Sequence, residues 1–332
     1  MKNNIFLDNY HSLLNIYDTQ IAIKLVKDTF EEKLAKHLSL IRVSAPLFVD
    51  PNTGLNDNLS GKEKAVSFIV QENKKELEIV QSLAKWKRYC LKKYNFTGIY
   101  TDMNAIRPYE KLDNIHSLYV DQWDYEKVIS KEDRNENYLK KTVIEIYNAL
   151  KETAEVVNNA YPILKIDLPK DIHFITSEKL LSLYPTLNAK EREDMITKKY
   201  KAVFLMHIGN KLENGYPHDD RAADYDDWSL NGDILLYNEV LSSSFEISSM
   251  GIRVNKESLL KQLKIKNEEY KLNYEFHKSI IDDQLPLTLG GGIGQSRICM
   301  FMLKKMHIGE VQASYWPEEE INYWKKQNVE LL

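Results

Sequence analysis

The sequence predicts an α+β fold, a mainly antiparallel sheet flanked by helices. Two observations carry this reading. Two long segments place apolar residues at helical spacing, and the strand-like segments between and after them are often joined too closely for parallel crossovers. In chain order, Ile23, Val26, Phe30 and Leu34 predict an amphipathic helix over Thr19 to Leu38. Strand signals follow at Leu40 to Val49, Val66 to Val70 and His116 to Trp123. Leu139, Val143, Ile146 and Leu150 mark a second long helix, and Ile172 to Ile175 a further strand. Asn188, with Glu191 three positions on, is a capping box that opens a short helix before the strand Ala202 to Ile208. Asp233 to Tyr237 and Phe245 to Val254 complete the strands. Only Asn238 to Ser244 join them, whereas a parallel crossover needs a dozen or more residues.

Composition narrows the function. The 332 residues are 43% hydrophobic and 28% charged, enough to bury a sizeable core. With 45 basic and 49 acidic residues the net charge is -4, so no overall basic field draws the chain onto nucleic acid. Cys90 and Cys299 are too few for a disulfide framework or a cysteine-rich zinc site, which points to a reducing compartment, the cytoplasm. No apolar run approaches the length of a membrane span, and the polar N-terminus does not read as a secretion signal. No Gly/Ser-rich or Pro-rich linker divides the chain, so residues 1–332 are expected to form a single catalytic domain.

The clearest chemical signal is Leu289-Gly290-Gly291-Gly292-Ile293-Gly294-Gln295-Ser296-Arg297, followed by the apolar run Ile298 to Leu303. It reads as a glycine loop whose backbone approaches a ligand closely, followed by a helix pointing its N-terminus at an anion or ring. A dinucleotide fold is excluded because too little chain follows, and a P-loop because no Gly-Lys-Ser/Thr is present. Arg297 sits in the first turn of that helix, unfavourably for the helix dipole, so it serves a ligand. A second arginine, Arg107, lies in Met103-Asn104-Ala105-Ile106-Arg107-Pro108-Tyr109-Glu110 ahead of a strand.

Together these segments resemble the motifs of the class II aminoacyl-tRNA synthetase catalytic fold. Ile41-Arg42-Val43-Ser44-Ala45-Pro46 is similar to motif 1, Arg107 with Glu110 to motif 2, and Gly292, Gly294 and Arg297 to motif 3. The blocks Asp57-Asn58-Leu59-Ser60-Gly61, Ser82 to Arg88, Asp121-Gln122-Trp123-Asp124, Asp224 to Trp228, Asn231 to Leu235 and Ser248 to Arg253 narrow the resemblance. They look like the asparagine synthetase A family, the ammonia-dependent aspartate–ammonia ligases, over nearly the whole chain.

The resemblance implies adenylation of the aspartate β-carboxylate by ATP, with Mg²⁺ as cofactor, followed by attack of ammonia to release asparagine and AMP. It also implies a homodimer. Phosphoryl chemistry needs cations where negative charge builds up, and Arg107 and Arg297 are the candidates, with Arg221 a third. Glu110 is the implied adenine reader, and Gly292 and Gly294 border the nucleotide. Asp233 and Glu246 stand where the related aspartyl-tRNA synthetase fold carries metal-binding acids. Lys87 and Arg253 look equivalent to the residues that hold the substrate side chain there, so aspartate is expected to bind turned end for end, its α-carboxylate on this pair. Ser82, Ser248 and Ser249 are further polar contacts. Ammonia near neutral pH is mostly ammonium, so a group that binds the cation and takes its proton is expected; Asp57 and Gln122 are the candidates. Gln122 continues the apolar strand face of Leu118 and Val120, which suggests a site at the sheet surface. Asp226 is a candidate ligand for the substrate ammonium or for ammonia. The histidines lack metal-ligand spacing and receive no role.

Two departures from the family pattern stand out: a loop between Ser229 and Leu230 that looks short, and a divergent stretch from Val66 to Ile79. The motifs run from Pro46 to Arg297 and leave no room for an anticodon-binding module, so aminoacylation of tRNA is disfavoured. Lys2 stands where the glutamine-dependent enzymes carry their cysteine nucleophile, so ammonia is the expected nitrogen donor.

Overall fold

The computed structural model describes residues 10–56, 59 and 64–332. Helix α1 (Ile16–Leu38) starts where the Asn15 side chain accepts the Asp18 N–H, and leads to the short strands β1 (Ile41–Arg42) and β2 (Phe48–Val49). The single segment expected from Leu40 to Val49 is thus two strands, with Pro46, which has no N–H for a ladder, between them. Strand β3 (Ser67–Ile69) and β2 both pair with β4 (Glu76–Ile79) in a small antiparallel sheet of order β2-β4-β3.

Then come α2 (Ala84–Tyr94), β5 (Gly98–Ile106), β6 (Tyr119–Val128) and α3 (Glu136–Ala160). They are followed by β7 (His173–Thr176), α4 (Ser177–Leu183), α5 (Ala189–Tyr200) and β8 (Ala202–Met206). The expected Asn188/Glu191 capping box is formed at the start of α5. A hairpin of β9 (Asp226–Asn238) and β10 (Ser243–Arg253) leads to α6 (Lys256–Lys266) and α7 (Glu275–Ile281). Strand β11 (Thr288–Gly294), α8 (Gln295–Met302) and α9 (Glu318–Lys326) end the chain.

The main sheet has the order β1-β5-β6-β11-β10-β9-β8-β7. Its interior pairs are antiparallel, and only the outermost pairs, β1 with β5 and β7 with β8, are parallel. One face carries the largest core, to which α1 contributes Val26, Phe30 and Leu34 and α3 contributes Leu139, Val143 and Ile146. Trp123 and Tyr125 of β6 are fully buried in that core, with Trp123 4.9 Å from the Phe30 ring. Strand alternation therefore turns Gln122, Asp124 and Glu126 to the opposite face. That face is covered at one end by α2 and at the other by α5, and the site lies between them.

Two irregularities of β9 and β10 aim side chains at this face. Register shifts between Glu246 and Ser248, so Phe245 and Ile247 before the bulge and Met250 and Ile252 after it all enter the same core. Farther along, Asn231 pairs with Gly251 and Asp226 with Arg253, so residues 227–230 stand opposite Ile252 alone. The place that reads as a shortened loop near Ser229 is this wide bulge inside β9, where Trp228 leaves the sheet to pack with Leu259, Leu263 and Phe276.

The glycine segment is also corrected. It is not a loop but the central strand β11, paired along its length with β6 and β10. Cβ atoms built at these glycines would collide with their neighbours: at Gly292, 2.4 Å from Gln122 Oε1 and 2.7 Å from Asp124 Oδ1; at Gly291, 2.6 Å from Met250 Cβ. Glycine is required here because side chains from both adjacent strands close over β11.

Candidate active site

A cavity of about 350 Å³ opens on the glycine strand. From α2 and the residues before it come Ser82 and Lys87. Lys87 is 1% exposed; its Nζ donates to the Gly291 carbonyl at 2.9 Å and lies 3.2 Å from Asp124 Oδ2. Burial pulls its pKa down, Asp124 pulls it up and Arg253 pulls it down again, with a net lowering. The Ser82 hydroxyl accepts the Ala84 N–H at 3.1 Å, securing the start of α2.

At the end of β10 the Arg253 guanidinium lies between two buried carboxylates. Nε and Nη2 donate to Glu126, the latter at 2.7 Å, and Nη1 donates to Asp226. Burial would raise the Glu126 carboxyl, but Arg253 holds it below its ordinary value; for Asp226 burial wins over Arg253 and the pKa is raised. Ser248 and Ser249 line the same cavity, and the Ser248 hydroxyl is buried without a hydrogen-bond partner among the described residues. The acidic run around Asp226 is not a solvated loop. Asp224 pairs with Lys85 at 2.8 Å, Asp226 with Arg253 and Asp227 with Arg134, each buried beside its own cation.

Farther along β11 the lining changes to Gly292, Gly294, Arg107, Glu110, Glu246 and Arg297. Arg107 follows β5, where its N–H donates to the Leu118 carbonyl; its Nη2 reaches Gln81 O at 3.4 Å and its buried Nε has no partner among the described residues. Arg297 donates to the Glu246 carbonyl at 2.9 Å and stands 5.9 Å from the Phe245 ring centre. Lys87 bonds the Gly291 carbonyl, whereas a Cβ at Gly294 would meet Arg297 Cβ at 3.1 Å, so the two cationic groups sit at different positions along the strand. Gln122, opposite Gly294 on β6, lines the stretch between them. The N-terminus of α8 is not an open anion site, since the Ser296 N–H and hydroxyl both donate to Asp121, at 3.1 and 2.8 Å.

Arg221 lines the cavity, paired with Asp219 and Asp233. Glu246 also faces the cavity and is 42% exposed in its side chain, whereas Asp233 lies behind the lining, 4% exposed. Burial raises the Asp233 carboxyl, Arg221 pulls it down and Glu246 pushes it up, with a net rise. Asp57 lies outside the described residues. Sequence reasoning overlooked Asp124 and Glu126 as parts of the site. The available signal was the alternation Gln122, Asp124, Glu126, which places polar groups on one face of a strand whose other face is Trp123 and Tyr125.

The model of a protein family described as aspartate-ammonia ligase matches residues 17–328. The chain belongs to the aspartate–ammonia ligase family. The ligase of Clostridium tetani is 58% identical, across 97% of this chain and 96% of its own; that of Bacillus cytotoxicus is 55% identical, across 97% and 100%. Among solved structures, asparaginyl-tRNA synthetase from Entamoeba histolytica in complex with asparaginyl-adenylate superposes with a TM-score of 0.66 at 16% identity. The match covers 91% of this chain and 68% of that one. The Pyrococcus horikoshii asparaginyl-tRNA synthetase complexed with asparaginyl-adenylate gives 0.65 at 16% identity, covering 90% and 70%. This ligase family member therefore has the catalytic fold of the class II synthetases, an α+β fold as the sequence predicts.

Proposed function

We propose that this chain makes asparagine from aspartate, ammonia and ATP through a β-aspartyl-AMP intermediate, and that its residues divide the work as follows. Lys87 and Arg253 hold the α-carboxylate of aspartate. Asp226, ion-paired with Arg253, is within reach of the α-ammonium on the same substrate carbon. The β-carboxylate then extends along β11 toward Arg107 and Arg297. The observation that carries this reading is the placement of two cationic groups at separate positions along one glycine strand, one group buried and balanced by acids, the other carrying a buried donor without a partner among the described residues.

A β-carboxylate oxygen attacks the α-phosphorus of ATP, the bond to the bridging oxygen breaks and pyrophosphate leaves. Arg107 and Arg297 neutralise the charge that accumulates on the α-phosphate, work worth about 10²- to 10³-fold in rate for one such group. Glu110, Gly292 and Gly294 border the nucleotide, and Arg221 stands at its phosphate end. Ammonia next attacks the β-carbonyl carbon and AMP departs with the bonding electrons. Gln122 holds the nitrogen, and Asp57, when it receives the proton of ammonium, supplies the neutral nucleophile. Ser82, Ser248 and Ser249 are the polar contacts around the amino acid.

Among the described residues no three His, Cys, Asp or Glu side chains cluster as a metal cage. Glu246 at the cavity with Asp233 behind it nevertheless suits Mg²⁺, which is bound by one or two carboxylates and completed by phosphate oxygens and water. When bound there, Mg²⁺ would neutralise the phosphates of ATP and the departing pyrophosphate. The reading includes a homodimer that buries the edge strand β1 and the small sheet, where Ile41, Leu47, Phe48, Phe68 and Ile69 are exposed. It also includes one catalytic domain working in the cytoplasm; no helix among the described residues is long and apolar enough to cross a membrane. Aspartate-dependent exchange of labelled pyrophosphate into ATP, without ammonia or RNA, tests the adenylation step. No exchange under these conditions, from enzyme that forms asparagine once ammonium is added, would contradict the adenylate.

A further inference from the structure

Glu126 does not line the cavity, yet it is 0% exposed and makes the most extensive contact of any acid with the Arg253 guanidinium. The two residues are not on neighbouring strands. Glu126 is on β6 and Arg253 on β10, and β11 runs between them, with Gly290 opposite Glu126 on one side and Gly251 on the other. A Cβ at position 290 would fall 2.0 Å from Glu126 Oε2 and 2.7 Å from Arg253 Nη2. The pair thus meets through a gap that only glycine leaves open. Of the five guanidinium N–H groups, Glu126 takes those on Nε and one on Nη2, and Asp226 one on Nη1, which leaves an N–H on each terminal nitrogen for a carboxylate ligand.

We propose that Glu126 is a positioning residue that sets which amino acid is accepted. By gripping the inner edge of Arg253 across Gly290, it fixes how deep the guanidinium sits and so how far a bound amino acid extends toward the phosphate end. Aspartate places its side-chain carboxylate at the α-phosphorus, while glutamate, one methylene longer, overshoots. The proposal rests on the reading of Arg253 as a ligand for the α-carboxylate. Its consequence is separate: discrimination between two substrates should depend on a residue that touches neither.

The test compares Glu126→Asp and Glu126→Gln with Arg253→Gln, each assayed by aspartate- and glutamate-dependent pyrophosphate release with ammonium present. Glu126→Asp keeps the charge and lets Arg253 recede by about one methylene, a difference typically worth 10- to 200-fold in selectivity. The preference in kcat/KM for aspartate over glutamate is expected to fall at least about tenfold, with the KM for ATP changed less than about twofold. Glu126→Gln should lower the preference in the same direction. A merely structural role would lower activity with both amino acids and ATP together, leave the preference unchanged and overturn the proposal. If Arg253→Gln raises the aspartate KM while neither Glu126 variant shifts the preference, positioning by Glu126 is wrong and the α-carboxylate reading stands. If Arg253→Gln leaves the aspartate KM unchanged, the underlying reading fails, and the proposal with it.

Discussion

Lys87 and Asp124 meet beside the glycine strand, Nζ 3.2 Å from Oδ2, with the same ammonium donating to the Gly291 carbonyl. Both side chains are almost completely buried, so each is the other's main compensation for lost hydration. A charged ligand arriving here finds a lysine already held in place by a strand carbonyl and an acid.

Replacing Lys87 with Ala removes one of the two groups assigned to the α-carboxylate. The KM for aspartate is expected to rise far more than that for ATP, in steady-state assays varying one substrate at a time. The variant should also be less stable, by about 3–5 kcal/mol, because Asp124 stays buried without its cation. An unchanged aspartate KM would remove Lys87 from the substrate site.

Arg107 and Arg297 are expected to act on the transition state rather than on substrate binding. Arg297→Ala and Arg107→Ala should each lower the rate of pyrophosphate exchange about 10²- to 10³-fold, with aspartate KM changed little. A large rise in aspartate KM at unchanged kcat would assign these arginines to the amino acid instead.

Gly292→Ala tests whether the glycine run is strand or loop. In a loop an added methyl is tolerated; here it falls 2.4 Å from Gln122 Oε1 and 2.7 Å from Asp124 Oδ1. The variant should fold, with modest loss of thermal stability, and lose most activity because Gln122 and Asp124 are displaced. Near-normal kinetics would contradict the placement of β11.

The glycine strand also shows where sequence reasoning stops. The helices were legible because a 3.6-residue apolar period survives in Val26, Phe30 and Leu34 and in Leu139, Val143 and Ile146, all buried. The β9–β10 hairpin was legible from its short connection, and Arg107, Lys87, Arg253 and Arg297 from their motifs. Strand β11 was not, because Gly290 to Gly292 lack the side chains from which a strand period is read; the reason for their absence lies on β6 and β10. Likewise the face that carries Glu246, Ser249 and Arg253 depends on a bulge in β10, which no alternation pattern within that strand announces. The burial of the Asp224 to Asp227 run was hidden for a related reason: its cations, Lys85, Arg253 and Arg134, are distant in sequence.

His307 gives a pH prediction away from the site. It is fully buried between the Trp316 and Trp324 rings, at 4.7 and 4.9 Å, and its Nδ1 accepts the Gly309 N–H at 3.0 Å. Burial lowers its pKa to about 4, against the pull of Glu320. The unfolded chain protonates this histidine near its ordinary value of 6.5 and the folded protein does not, so its contribution is fully present above that pH. It is lost as the pH falls toward 4, by about 3 kcal/mol in all. Urea unfolding followed by tryptophan fluorescence at pH 7.5 and pH 5 should show a smaller acid loss in His307→Gln than in the unmodified protein. Equal losses would show that this imidazole is protonated in the folded state.

The central claim is that aspartate lies with its α-carboxylate on Lys87 and Arg253 and its β-carboxylate at the α-phosphorus. Aspartate labelled with ¹⁸O in the side-chain carboxylate alone, turned over with ATP, Mg²⁺ and ammonium, tests it most directly. One ¹⁸O should appear in AMP and none in pyrophosphate, with asparagine formed in equal amount to AMP. Unlabelled AMP, or AMP formed without asparagine, would contradict it.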